Sequence, residues 1–181
     1  GDGEPKYLNS PETPVFVKGH ELYGLHEAAQ AIRRADCALV VEGYMDVVAL
    51  AQLGIDNAVA TLGTACTEDH LRKLVRFCDR IVFSFDGDAA GRRAAARAME
   101  AALPFATETR TLSFLFLPAE HDPDSYVREF GAAAFQRCIE EAWPLSKQLR
   151  EVAMQGCGRA TPDGRARLLG QAEPLWQRLP D

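Results

Sequence analysis

No run in the 181-residue chain approaches the roughly 18 consecutive apolar residues of a membrane-spanning helix, and no charged start followed by an apolar stretch resembles a secretory leader. A cytoplasmic location is the expectation, with no membrane among the partners. Cysteine is too sparse and scattered for a disulfide framework. Cys37, Cys66, Cys78, Cys138 and Cys157 are odd in number and form neither a C-x-x-C nor a tight Cys/His set, so they read as reduced and mostly structural, without a zinc site. Internal repeats and low-complexity tracts are missing too. A basic surplus, the usual footprint of a polyanion binder, is absent: the formal charge is -6.

What remains is a composition of 47% hydrophobic residues, enough for one well-buried domain plus an appendage. The charge is unevenly distributed. Glu42, Asp46, Asp86, Asp88, Asp122 and Asp124 fall in a few short motifs; set aside those six and 20 acidic residues face 20 basic ones. Divalent cations bound among the six would neutralise much of the excess.

Gly1 to Gly24 is rich in Gly, Pro and polar residues, with one strand-like run at Val15 to Val17, and reads as the end of a larger element upstream. A short helix follows from His26 to Ala35. Apolar runs then alternate with amphipathic segments, which predicts a parallel sheet flanked by helices. The expected strands are Ala38 to Val41, Ala58 to Leu62, Ile81 to Phe85 and Arg110 to Leu117, the fourth closing the sheet. The intervening helices are Tyr44 to Leu53, stopped by Gly54; a segment capped by Thr67 and running to Phe77; and Asp88 to Leu103, ended by Pro104. Beyond Asp124 the pattern is helical, at Ser125 to Glu129, Ala132 to Ala142, Leu145 to Met154 and Asp163 to Leu179, the last broken by Pro174.

Ligands of open parallel sheets bind beyond the carboxyl ends of the strands. The residues there are acidic. Glu42 follows the first strand, Asp86-Gly87-Asp88 the third, and Asp122-Pro123-Asp124 comes after the fourth. Each piece alone has an ordinary explanation, since Asp-Gly-Asp before a helix is a turn with an N-cap and Asp-Pro-Asp is a turn. Their coincidence at one end of the sheet is different: carboxylates forced together repel unless a cation sits among them, and hard oxygen donors suit magnesium or manganese.

Val41-Glu42-Gly43-Tyr44-Met45-Asp46, Thr61-Leu62-Gly63-Thr64, Phe85-Asp86-Gly87-Asp88-Ala89-Ala90-Gly91 and Asp122-Pro123-Asp124-Ser125 resemble the TOPRIM motifs shared by topoisomerases, bacterial primases and some nucleases. Upstream, Lys6-Tyr7-Leu8-Asn9-Ser10-Pro11-Glu12-Thr13 and Leu22-Tyr23-Gly24-Leu25 resemble the segment preceding TOPRIM in DnaG-type primases, and the likeness runs from about Lys6 to about Leu149. It implies a TOPRIM-type parallel sheet flanked by helices, with residues 1–35 ending an N-terminal polymerase lobe, 36–120 forming the TOPRIM domain, and 121–181 carrying the last acidic motif and a truncated helical subdomain. The implied activity is synthesis of RNA primers on single-stranded DNA.

The resemblance also implies roles. Glu42, Asp86 and Asp88 match the principal catalytic and metal-binding acids, Asp46, Asp122 and Asp124 the outer acidic positions, and Lys6, Asn9 and Lys18 the places where template or nucleotide phosphates are met. Read without the family, Lys6 and Lys18 are ordinary surface lysines. Arg92 and Arg93 open the third helix, within reach of a triphosphate or simply on a solvated face. Magnesium or manganese is the implied cofactor, with zinc only in an N-terminal module that this stretch lacks. Ribonucleoside triphosphates and a single-stranded DNA template are the implied partners, and a replicative helicase would bind a C-terminal region also missing here. Three rivals stand beside this reading: another TOPRIM enzyme, either topoisomerase or nuclease; a haloacid-dehalogenase-like phosphatase using Asp86-x-Asp88; and a non-catalytic binding module.

Overall fold

A computed structural model describes residues 17–157 and 161–180. Lys6, Asn9 and the first two residues of the Val15 to Val17 run lie outside these described residues. The elements follow in the order α1 (Leu25–Ala35), β1 (Cys37–Val41), α2 (Tyr44–Gln52), β2 (Ala58–Ala60), α3 (Glu68–Leu74), β3 (Arg80–Phe85), α4 (Ala89–Ala102), β4 (Thr111–Phe116), α5 (Pro123–Phe130), α6 (Ala132–Glu140), β5 (Trp143–Pro144), α7 (Leu145–Ala153) and α8 (Pro162–Trp176).

The strands form one sheet in the order β2-β1-β3-β4-β5. The first four are mutually parallel, because each crossover carries a helix. β1 is buried at every position, as a continuous apolar run between two helical layers requires. On one face, Ile32 of α1, Leu71 and Leu74 of α3, and Met99 of α4 pack on Val40, Ile81, Phe83 and Phe114; the last two rings stack with centroids 5.2 Å apart. On the other, Val47 and Leu50 of α2, Val127 of α5, and Phe135 and Ile139 of α6 cover Leu39, Val41, Val82 and Leu115. Among the described residues, no helix is long and apolar enough to cross a membrane.

Three expectations are corrected. The parallel sheet flanked by helices stands, but β4 does not close it: the two-residue strand β5 adds an antiparallel edge, with Trp143 opposite Phe114. β2 ends at Ala60, because Leu62 and Gly63 take positive φ of 56° and 76° and turn the chain out of the sheet. Pro174 does not break the last helix. Its ring crowds the Gly170 carbonyl, four residues back, and its missing N–H falls in the last turn, two residues before α8 ends at Trp176. Pro104 likewise sits within a single 3-10 turn, Leu103–Phe105, that finishes α4.

Candidate metal-binding carboxylate site

Parallel pairing puts the carboxyl ends of β1, β3 and β4 together. Val40 lies opposite Phe83 and Phe85 opposite Phe116, so Glu42 comes level with Phe85, one residue before Asp86. The acids fall into two overlapping sets. Glu42 feels Asp86 and Asp88, and Asp86 feels Asp88; Asp46 feels Asp122, Asp86 and Asp124. Asp86 belongs to both.

Glu42 and Asp86 are exposed by surface area, yet burial against the end of the sheet is the largest influence on each. It raises both carboxyls above the usual range, and the charges of Asp86 and Asp88 on Glu42, and of Asp88 and Asp122 on Asp86, add to the rise. Half-buried Asp46 is pushed up to about 6, first by burial and then by Asp122; a hydrogen bond from the Gly43 N–H, 3.3 Å, opposes the shift.

Several of these acids also close helix ends. Asp88 Oδ1 accepts the Gly91 N–H at 2.7 Å and caps α4. Asp122 accepts the Ser125 N–H at 2.8 Å and, with the Ser125 hydroxyl returning to its own N–H, forms the capping box of α5. Asp124 pairs with Arg128 one turn on. The turn-plus-cap explanation of Asp-Gly-Asp is thus correct for Asp88, and Asp86 is left as the acid of that pair with no capping hydrogen bond shown.

The donor set is hard oxygen throughout, matching magnesium or manganese. Among the described residues, no three His, Cys, Asp or Glu side chains are gathered closely enough to enclose an ion. The fit therefore lies in donor chemistry and in the unrelieved crowding of Glu42, Asp46 and Asp86. From that crowding, Asp86→Asn is expected to fold normally and to melt in chelator at the wild-type temperature or slightly above, since it removes one of several repelling charges. Thermal melts followed by circular dichroism check this; a fall of many degrees would mark Asp86 as a structural hub.

Some features carried no clear signal in the sequence. A cavity of about 200 Å³ opens beside Glu42, lined also by Thr61, Thr64, Cys66 and Arg97. Arg97 stands one turn beyond Ala94, which lines the same cavity, and that spacing was the available clue. Arg92 is engaged, its guanidinium 3.8 Å over the Phe116 ring and 5.0 Å from that of Trp143, an aromatic pair that exists only because of β5. Arg93 is exposed. Lys18 lies in a turn packed on the start of α3, where its carbonyl oxygen is 2.9 Å from His70 Nε2.

Two family profiles match the chain: Toprim-like over residues 39–127, and DNA primase catalytic core, N-terminal domain, over residues 1–29. The DNA primase of Pseudomonas aeruginosa is 54% identical over 181 residues, covering 99% of this chain and 27% of that protein. The chain belongs to the bacterial DnaG-type primase family. The DNA primase of Escherichia coli is 53% identical over 180 residues, 99% of this chain and 31% of that protein. A solved DnaG primase catalytic domain bound to single-stranded DNA superposes with a TM-score of 0.92 at 52% identity, covering 99% of this chain and 58% of that one. The chain thus spans less than a third of the two primases it matches, and the DnaG fold accounts for its mostly parallel sheet and flanking helices.

Proposed function

We propose that this chain is the TOPRIM-containing catalytic part of a primase, which joins ribonucleotides into short RNA primers on a single-stranded DNA template. The observation that carries the proposal is the convergence of Glu42, Asp86 and Asp88 at one end of a parallel sheet, with burial and mutual repulsion raising Glu42 and Asp86. Similarity to a primase domain bound to single-stranded DNA supports the template assignment.

In the reaction a ribonucleotide 3'-hydroxyl attacks the α-phosphate of the next triphosphate, forming one P–O bond while the bond to pyrophosphate breaks. Magnesium or manganese, when bound, neutralises charge on the transferring group and lowers the cost of deprotonating the attacking hydroxyl. Glu42, Asp86 and Asp88 would be its ligands, held on a rigid sheet end. Asp46, Asp122 and Asp124 form the outer acidic rank, their backbones fixed at the starts of α2 and α5. Lys6, Asn9 and Lys18 are assigned to template or nucleotide phosphates. Template grip rests on basic surface, because the charge of -6 repels DNA at low metal concentration. Helicase binding belongs to parts of the protein beyond this stretch.

A phosphatase using Asp86 as nucleophile and Asp88 as acid is the weaker reading, because that motif belongs after the first strand of its fold, whereas here two strand–helix units precede it and Glu42 follows the first strand. The test is ribonucleotide incorporation by the full-length protein with manganese and single-stranded DNA. Template-dependent oligomers are expected; phosphate release from small phosphomonoesters without any oligomer would overturn the assignment.

A further inference from the structure

The segment from Lys18 to Tyr23 is stitched along α3 toward β2 by a series of contacts. The Thr67 hydroxyl donates to the Gly19 carbonyl at 2.6 Å. His20 Nε2 lies 3.0 Å from Asp69, the Lys73 ammonium 3.1 Å from Glu21, and Tyr23 exchanges backbone hydrogen bonds of 2.9 and 3.1 Å with Ala60. At its head is His70, fully buried, with both ring nitrogens engaged. Nδ1 accepts the Thr67 N–H at 3.2 Å, and Nε2 faces the Lys18 carbonyl at 2.9 Å. A backbone N–H can only donate and a carbonyl can only accept, so the imidazole is neutral with its proton on Nε2. Burial, which lowers the His70 pKa, favours the same form.

This ring therefore makes two separable connections, one closing the helix cap and one holding the Lys18 turn. The start of α3 is fed by the loop that leaves the carboxyl end of β2, and Thr64, three residues before Thr67, lines the cavity beside Glu42. Whatever is fastened to Thr67 and His70 is fastened to the end of the sheet that carries the acids.

We propose that Thr67 and His70 are positioning residues for Lys18, holding its backbone so that the lysine is presented to nucleotide phosphate at the carboxylate site. The proposal rests on the phosphate role given to Lys18 above. It assigns His70 a job beyond capping, which is testable because Asn and Gln each replace half of the imidazole. In His70→Asn the amide oxygen stands in for Nδ1 and keeps the cap, but the side chain is too short to reach Lys18. In His70→Gln the amide nitrogen stands in for Nε2 and keeps the Lys18 bond, while the half of the capping box that the Thr67 N–H donates to the ring is lost.

The experiment measures steady-state primer synthesis by full-length wild type, His70→Asn, His70→Gln, Lys18→Ala and the His70→Asn, Lys18→Ala double variant, alongside melting temperatures. His70→Asn is expected to raise the KM for ribonucleotide roughly tenfold with little change in kcat, as a small misplacement of a binding group does. His70→Gln is expected to keep KM near wild type although it melts lower, the reverse of the order a purely structural role gives. The double variant should be no worse than Lys18→Ala. Additive effects of the two substitutions, or a KM in His70→Gln as high as in Lys18→Ala, would overturn the positioning role while leaving Lys18 in place. A Lys18→Ala protein with unchanged KM would overturn the phosphate role of Lys18 and this proposal with it. A folded His70→Asn protein with a wild-type KM would overturn it as well; if His70→Asn does not fold, Thr67→Val, which removes the hydroxyl that holds the Gly19 carbonyl, takes its place in the same comparison, and a wild-type KM there would overturn the proposal.

Discussion

Gly91→Ala is expected to destabilise the protein by about 3–5 kcal/mol, at the top of the range for overpacking because the obstacle is backbone and not a pliable side chain. A Cβ at this position would stand 2.0 Å from the Asp86 carbonyl oxygen and 2.9 Å from its carbon. Either α4 retreats from the end of β3 or the peptide of Asp86 moves. Retreat would stretch the 2.7 Å bond from the Gly91 N–H to Asp88 and pull Ala95 and Met99 out of the core. Movement of the peptide would displace the acid shared by both carboxylate sets. For a chain of this size the loss corresponds to a fall in Tm of about 10 °C. Gly170→Ala is the control: it lies within α8 with nothing inside 4 Å of the added methyl, and is expected to raise Tm slightly by restricting the unfolded chain. Calorimetric melts of the two variants beside wild type decide the matter; a Gly91→Ala protein melting within about 2 °C of wild type would mean that α4 seats loosely on Asp86.

The close approach of α4 to β3 illustrates what could be read from the chain and what could not. The three long strands are readable because a strand buried on both faces is apolar almost throughout, as Cys37–Val41 is at every position and Ile81–Phe85 at all but Ser84. Thr67 announced the start of α3 and Gly54 the end of α2 through local backbone chemistry, and both are where that chemistry puts them. The acids were placed at one end of the sheet by topology alone. β5 was out of reach, since two residues carry no periodicity and Trp143 earns its place only by lying against Phe114 and Phe116. Arg92 was ambiguous for the same reason, because the rings that hold it meet through pairing between distant strands. His70 carries no signal of its own beside the apolar stripe of Leu71 and Leu74, since its second partner lies 52 residues away. Gly87 belongs to a motif whose sequence does not say why glycine stands there. The reason is steric: a Cβ there would lie 2.1 Å from the Leu117 carbonyl oxygen, so the turn can pass β4 only as glycine.

Asp88 serves two ends at once, which makes its substitutions more informative than those of any other acid in the site. As the N-cap of α4 its side chain needs only an acceptor oxygen for the Gly91 N–H, and Asn caps about as well as Asp. As a ligand it needs its negative charge. Asp88→Asn is therefore expected to melt within about 1 °C of wild type, yet to lower template-directed ribonucleotide incorporation by the full-length protein about a thousandfold. That figure follows from several kcal/mol of charge stabilisation at the transferring group, at about 1.4 kcal/mol for each factor of ten. Asp88→Ala is expected to lose the same activity and also about 1 kcal/mol of stability, since it removes the cap. Calorimetric titration with manganese supplies the second readout: the heat of binding should shrink in both variants alike, whereas the melts should separate them. Asp88→Asn with near wild-type incorporation and manganese binding would show that the cap is the whole of its role, leaving Glu42 and Asp86, whose raised pKa values record the crowding, to hold the ion with other partners. Loss of incorporation with manganese binding intact would instead place Asp88 against the nucleotide, among the donors that hold the triphosphate in line for attack.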